Sequence, residues 1–292
     1  MIYLIITTVI WSFSFSIIGN YLSPQINSWS LAFFRSLVAF IFFLPWLRKS
    51  ISYKYLIRIA SIGALQIGLM YVFYLTAFNY TTIQRILLFT ITTPFYVVLI
   101  SNLFERKFKL PVYLLSIFSI IGALFLRTTY FDKNDLIGFI LIQSANLCFA
   151  SGQILYRRFK QGDWNQVDKF HDFTYFFFGA LLISSVGLII SPQGLSLPGS
   201  FVEWILVLWL GGIATGVGYY LWNRGSELVS STTLAVMNNL VIPIALLVET
   251  VFFTRTVNIE SYIIGTIIII STNYLNSKAH RPFLHYYLDN LY

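Results

Sequence analysis

The sequence predicts an all-α membrane protein with ten transmembrane helices, built as two inverted five-helix repeats. Three observations lead to this fold class. First, 57% of the 292 residues are hydrophobic and only 10% are charged, whereas a soluble domain has about 25% charged residues. Second, the chain divides into ten apolar runs close to the roughly 20 residues that a bilayer-spanning helix needs. Third, the two halves of the chain share a pattern at a constant offset of 149 residues.

The apolar runs give the predicted spans in order. They are residues 2–19, 29–47, 56–78, 82–104, 110–127, 135–156, 172–191, 201–223, 231–253 and 258–275. The connections are short, and the longest, 157–171, carries most of the charge in the middle of the chain. The domain prediction is therefore a first repeat over 1–127, a second over 135–275 and a short cytoplasmic tail over 276–292.

The repeat is clearest around two prolines that lie inside apolar runs. Pro94 in span 4 and Pro243 in span 9 match at the offset of 149 residues, and so do Gly63 and Gly212. A proline removes a backbone N–H and weakens the helix around it, so we expect Pro94 and Pro243 to act in gating. Because each half holds an odd number of spans, the second half enters the membrane inverted. Inverted repeats that rock around a central site are typical of secondary transporters.

Lysine and arginine residues predict the orientation. Loops after the even-numbered spans 2–8, together with the C-terminal tail, hold 14 of them, whereas the opposite side holds 4. Positive residues accumulate in cytoplasmic loops. We therefore predict a multi-pass protein of the cell (inner) membrane with both termini in the cytoplasm, and we assign the net charge of +8 to these loops rather than to nucleic-acid binding.

Several kinds of chemistry have no sequence signal. The single cysteine, Cys148, forms no disulfide framework, and no HExxH pattern or phosphate-binding GxxxxGK[ST] loop occurs. We predict no metal, no cofactor and no enzymatic activity. The expected partners are a small-molecule substrate, the lipid bilayer, and protons or an exchanged solute, with the oligomeric state left open.

Amide and aromatic side chains within the spans are the candidates for substrate binding, since they offer hydrogen bonds and stacking to a small organic solute. The candidates are Trp11, Gln66, Tyr71, Tyr74, Gln143, Asn146, Tyr220, Trp222, Asn238 and Asn239. The alternative is that the amides join helices to one another and that the aromatic rings form interfacial belts.

Charged side chains inside the spans are the candidates for coupling or gating, because charge within a bilayer is costly. Glu249 in span 9 would bind a cation or carry a coupling proton; the alternative is an interfacial acid or a structural partner of an arginine. Arg35 and Arg85 would form an anion-attracting site or a gating ion pair on the outer side. The alternatives are a structural role for Arg35 and snorkelling to the surface for Arg85.

The chain resembles the drug/metabolite transporter superfamily, in particular its ten-span EamA-type permeases. The matching features are Trp11–Phe15 (WSFSF), Phe34-Arg35, 71–80 (YVFYLTAFNY) followed by Thr81-Thr82, Pro94, and Glu105 at the end of span 4. In the second half, Ala235–Pro243 (AVMNNLVIP) is similar to a variant found in transporters of amino acids, amines or carboxylates.

The resemblance implies a secondary transporter that moves a small metabolite, an amino acid or a related amine or carboxylate, by alternating access. The alternative within the superfamily is efflux of drugs or xenobiotics, which the high aromatic content favours. An intramembrane enzyme would need clustered catalytic groups that the sequence lacks, and an assembly subunit would leave the duplication unexplained.

Overall fold

The computed structural model describes residues 1–47, 52–106, 133–162 and 169–253, together with Ile267, and every regular element in these ranges is helical. Eight helices within the described ranges are long and apolar enough to cross a membrane. They are α1 (Ile2–Leu22), α2 (Ser28–Trp46), α3 (Tyr53–Ala77), α4 (Ile83–Glu105), α5 (Lys133–Gln161), α6 (Lys169–Ile190), α7 (Phe201–Glu227) and α8 (Ser231–Phe253).

These eight helices coincide with eight of the predicted spans, and the spans predicted at 110–127 and 258–275 lie outside the described residues. The bounds differ most at α5, which continues to Gln161 beyond the predicted end at residue 156. Hydropathy ends the span there because Arg157 and Arg158 follow. In the structure the helix continues past these arginines, and Lys160 in the extension is buried.

Polar residues set the starts of four helices by capping free backbone N–H groups. Asn27, Ser52, Thr82 and Ser200 each accept a hydrogen bond from the backbone N–H three residues later. Asn27 also donates through Nδ2 to the carbonyl of Gly194 at 2.9 Å. This bond joins the connection between α1 and α2 to the connection between α6 and α7.

The helices depart from α-geometry at defined places. π-Helical turns occupy Ile18–Leu22, Ala64–Leu69 and Leu210–Val217, and a 3₁₀ turn occupies Thr90–Thr92. Pro94 follows the 3₁₀ turn and lies at the start of the second part of α4, whereas its sequence counterpart Pro243 lies inside an uninterrupted helix. Irregular turns of this kind are frequent at functional sites.

Each of the first four helices packs against two of the last four. In the described part of the chain α1 packs on α7 and α8, α2 on α6 and α7, α3 on α5 and α6, and α4 on α5 and α8. The largest buried apolar cluster takes residues from both sets of helices. Among the described residues, all three buried apolar clusters take side chains from both sets, so both sets enclose the space between them.

The contact between α3 and α6 depends on glycine. A Cβ added at Gly63 would lie 1.9 Å from the carbonyl oxygen of Phe176. We expect Gly63→Ala to lower the free energy of unfolding by about 1–3 kcal/mol, because the obstacle is backbone. Thermal unfolding of the detergent-purified protein measures this.

The matched control is Gly212→Ala, 149 residues further along the chain, where the nearest atom to an added Cβ is 4.0 Å away. We expect this variant to unfold within a few degrees of the unmodified protein. Equal destabilisation of both variants would show that the close approach of α3 to α6 is not the cause.

Candidate functional site

A cavity lies between the two sets of helices. Side chains of α1–α5, α7 and α8 line it, so that both sets contribute. Both sets of helices therefore form its wall.

Aromatic rings form much of the cavity wall. The ring centroid of Trp11 lies 5.0 Å from those of Tyr219 and Trp222 and 5.6 Å from that of Phe149. Trp11 Nε1 donates to the carbonyl of Ala214 at 2.8 Å, and Trp222 Nε1 donates to Gln153 Oε1 at 2.8 Å. Because both indole N–H groups are satisfied within the protein, the rings offer the cavity flat apolar surface.

Asparagines add polar groups to this wall. Asn146 donates through Nδ2 to the carbonyl of Phe89 and to Thr92 Oγ1, each at 3.1 Å. The 3₁₀ turn after Phe89 places these acceptors beside α5. Asn238 donates to the carbonyl of Leu234 at 2.7 Å. Both amide nitrogens are therefore engaged, and the amide oxygens are the groups available to an N–H donor in the cavity.

Among the described residues that line the cavity, Arg35 carries a positive charge. Arg35, with 3% of its surface exposed, donates through Nη2 to the hydroxyl of Tyr71 at 2.8 Å and through Nε to Thr215 Oγ1 at 3.2 Å. Its guanidinium carbon lies 4.2 Å from the centroid of the Tyr71 ring. Thr215 belongs to the π-helical turn of α7, so Arg35 joins α2 to α3 and α7.

Six of the ten predicted binding residues line the cavity, and the structure places the other four outside it. The six are Trp11, Tyr71, Tyr74, Asn146, Trp222 and Asn238. Gln66 donates to Asn223 Oδ1 at 3.1 Å, and Gln143 donates to the carbonyl of Phe89 at 3.1 Å. Tyr220 stacks on Phe170 at 4.5 Å, and Asn239 is buried within the helix bundle.

The predicted coupling and gating residues are dispersed. Arg35 lines the cavity, but Glu249 is fully buried between α8 and α1, where it accepts hydrogen bonds from Ser16 and, at 3.3 Å, from Asn20. Arg85 pairs with Asp135 at 2.5 Å where α4 and α5 begin. Neither proline lines the cavity, although Pro94 follows the lining residue Thr93 and Pro243 comes two residues after the lining residue Val241.

A second buried charged cluster was not predicted from the sequence. Lys160 near the end of α5 pairs with Asp172 near the start of α6 at 2.8 Å, and neither side chain is exposed. The hydroxyls of Tyr55 and Tyr156 also donate to Asp172. The available signal was a lysine within the longest predicted connection, 157–171, and an acid directly after it, but such charges are usually solvated.

Sequence reasoning also missed cavity residues next to its own candidates. Phe149 lies three residues after Asn146, on the same face of α5, and Tyr219 lines the cavity where its neighbour Tyr220 does not. Thr90 and Thr93 reach the cavity from the irregular turn of α4. The helical spacing from Asn146 could have identified Phe149. The position of the two threonines at the cavity follows from a 3₁₀ turn that the sequence does not predict.

Comparison with known proteins gives consistent matches over the whole length. The sequence model of the EamA-like transporter family matches residues 1–128 and 136–277. A protein of Pseudomonas aeruginosa named probable biotin transporter is 34% identical over 96% of this chain and 99% of its own. The biotin transporters of Salmonella typhimurium and Escherichia coli are each 31% identical over 97% of this chain and 94% of their own.

A solved structure, described only as the crystal structure of a protein, has a similar fold. It superposes with a TM-score of 0.74 over 97% of each chain, at 15% sequence identity. At this level of identity the likeness concerns the fold alone.

Proposed function

The chain belongs to the EamA-like transporter family, and from this premise we propose that it is a secondary transporter that moves biotin across the cell membrane. Membership makes the protein a membrane permease for a small molecule and not an enzyme. Biotin is the specific part of the proposal, and it draws on the names of relatives that are 31–34% identical over nearly their whole length.

The composition of the cavity is the observation that carries the proposal. Biotin has a fused bicycle with a ureido group, and an aliphatic chain that ends in a carboxylate. The rings of Trp11, Trp222 and Tyr219 supply apolar surface for the bicycle and the chain. The amide oxygens of Asn146 and Asn238 are suited to accept hydrogen bonds from the ureido N–H groups.

The comparisons do not support an amino acid or amine as the substrate, and they do not favour efflux. The cavity agrees with this. An amino acid or amine carries an ammonium group, which is usually bound by a carboxylate. No acidic side chain lines the cavity among the described residues, and Glu249 lies between α1 and α8 instead.

We also propose that the chain forms ten spans in two inverted repeats that rock around this cavity. The same family model matches each half of the chain, which supports a duplication. The helix contacts support it too. In a duplication, α1–α4 would correspond in order to α5–α8. The contact of α1 with α8 then corresponds to that of α5 with α4, and the contact of α3 with α5 corresponds to that of α7 with α1. All four contacts are present.

Solute exchange in liposomes tests the biotin proposal. Purified protein is reconstituted into vesicles preloaded with unlabelled biotin, and uptake of radiolabelled biotin is followed. We expect accumulation several-fold above that of vesicles without internal biotin, because a carrier exchanges its substrate without a net gradient.

Vesicles preloaded with an amino acid, an amine or a nucleoside are the controls, and protein-free vesicles give the background. Acceleration by one of these solutes but not by biotin would overturn the proposed substrate and leave the transporter assignment in place.

A further inference from the structure

Arg35 carries a buried positive charge that the described part of the protein stabilises only in part. It is the eighth residue of α2, inside an apolar membrane helix, and its side chain lines the cavity. A charge removed from water is costly unless a countercharge and hydrogen bonds compensate it. The retention of an arginine here therefore requires a partner, either in the protein or in the ligand.

The described part of the protein supplies Arg35 only with neutral partners. These are the hydroxyl and ring of Tyr71 and the hydroxyl of Thr215. Nη1 is buried and has no hydrogen-bond partner among the described residues. The ion pairs of the described chain engage other arginines and lysines, as Asp135 pairs with Arg85 and Asp172 with Lys160.

The neutral contacts hold the guanidinium in place without neutralising it. The hydroxyls of Tyr71 and Thr215 also bond each other at 2.7 Å, so that Arg35, Tyr71 and Thr215 form a closed triangle across three helices. This fixes Nε and Nη2, and Nη1 remains without a hydrogen-bond partner among the described residues, in a side chain that lines the cavity. The edge of a guanidinium suits a carboxylate, which accepts two parallel N–H bonds from it.

We propose that Arg35 binds the carboxylate of the substrate and thereby restricts transport to the free acid; the inference rests on the proposed transport of biotin. Esters and amides of the same compound would leave the buried guanidinium without a countercharge. In this arrangement the aromatic wall recognises the rings of biotin, and Arg35 selects for the charge at the end of its chain. Tyr71 and Thr215 act as positioning residues for the guanidinium.

The test compares two ligands on the unmodified protein, biotin and biotinamide, which differ only in the terminal group, a carboxylate in the first and a neutral amide in the second. Equilibrium binding to the purified protein is measured for both. We expect biotinamide to bind about 10- to 100-fold more weakly, as is usual when a hydrogen-bonded charge pair is lost. Because the difference is on the ligand, this measurement does not depend on the folding of any variant.

Variants then assign the effect to Arg35. In Arg35→Gln the preference for biotin over biotinamide should disappear, and in Arg35→Lys, which keeps the charge but not the planar edge, part of it should return. Arg58→Gln is the matched control, because Arg58 is exposed near the start of α3 and away from the cavity. It should keep the full preference.

Equal binding of biotin and biotinamide to the unmodified protein overturns the role of Arg35 and leaves the proposed function standing. A preference for biotin over biotinamide that persists in Arg35→Gln also overturns the role of Arg35 and leaves the proposed function standing. Absence of binding for both ligands overturns the proposed function, and the inference that rests on it fails with it.

Discussion

Replacing Lys160 with methionine is expected to lower the free energy of unfolding by about 3–5 kcal/mol, the usual cost of removing one partner of a buried ion pair. Lys160 and Asp172 are 2.8 Å apart, with neither side chain exposed. Methionine has a similar volume, so packing is largely kept while the countercharge of Asp172 is lost. The remaining hydrogen bonds from Tyr55 and Tyr156 do not replace that charge.

Chemical or thermal unfolding in detergent measures this loss. The double variant Lys160→Met with Asp172→Leu should recover most of the stability, because it removes both charges together. Arg224→Gln is the control. Its pair with Glu227 spans 3.4 Å and the Arg224 side chain is 31% exposed, so a loss of only about 0–1 kcal/mol is expected. A Lys160→Met protein as stable as Arg224→Gln would show that the buried pair contributes nothing.

Replacing Trp11 with alanine is expected to weaken biotin binding by at least about 30-fold, the effect of losing a central aromatic contact. Trp11 touches three other rings of the cavity wall and donates to the carbonyl of Ala214. Its removal takes away the surface on which the bicycle would pack and also one link between α1 and α7. Binding titration measures the affinity, and exchange in liposomes measures the effect on transport.

Two further tryptophan variants separate these contributions. Trp11→Phe keeps an aromatic ring but loses the 2.8 Å hydrogen bond, so its affinity should fall between those of the unmodified protein and Trp11→Ala. Trp204→Ala removes a tryptophan that packs on Phe34 outside the cavity, and biotin affinity should not change. Equal losses in Trp204→Ala and Trp11→Ala would indicate general damage rather than a binding site at Trp11.

The elements of the fold were predictable from the sequence because long apolar runs have few alternatives to a membrane helix. The same reasoning did not decide which face of each helix meets the cavity. Tyr219 and Tyr220 are adjacent and lie about 100° apart on α7, and only the first lines the cavity. That choice is made by the packing of α7 on α1 and α2, which a single helix does not reveal.

The roles of charged residues were less predictable, because their partners come from distant parts of the chain. Glu249 is bonded by Ser16 and Asn20 of α1, and no local pattern links these positions. Arg35 was identified as a charge in a membrane span, but its neutral surroundings became visible only in the structure. The sequence places Lys160 in the predicted connection 157–171 and Asp172 at the first position of the next predicted span. Hydropathy alone does not show that two charges at helix ends bury each other.

A structure of the protein determined with biotin bound tests the proposed transport site most directly. We predict biotin in the cavity between the two sets of helices, with its bicycle against Trp11 and Trp222 and its carboxylate within hydrogen-bond distance of Arg35. Biotin bound outside this cavity, with Trp11 and Arg35 free of contact, would contradict the assignment of the cavity as the transport site.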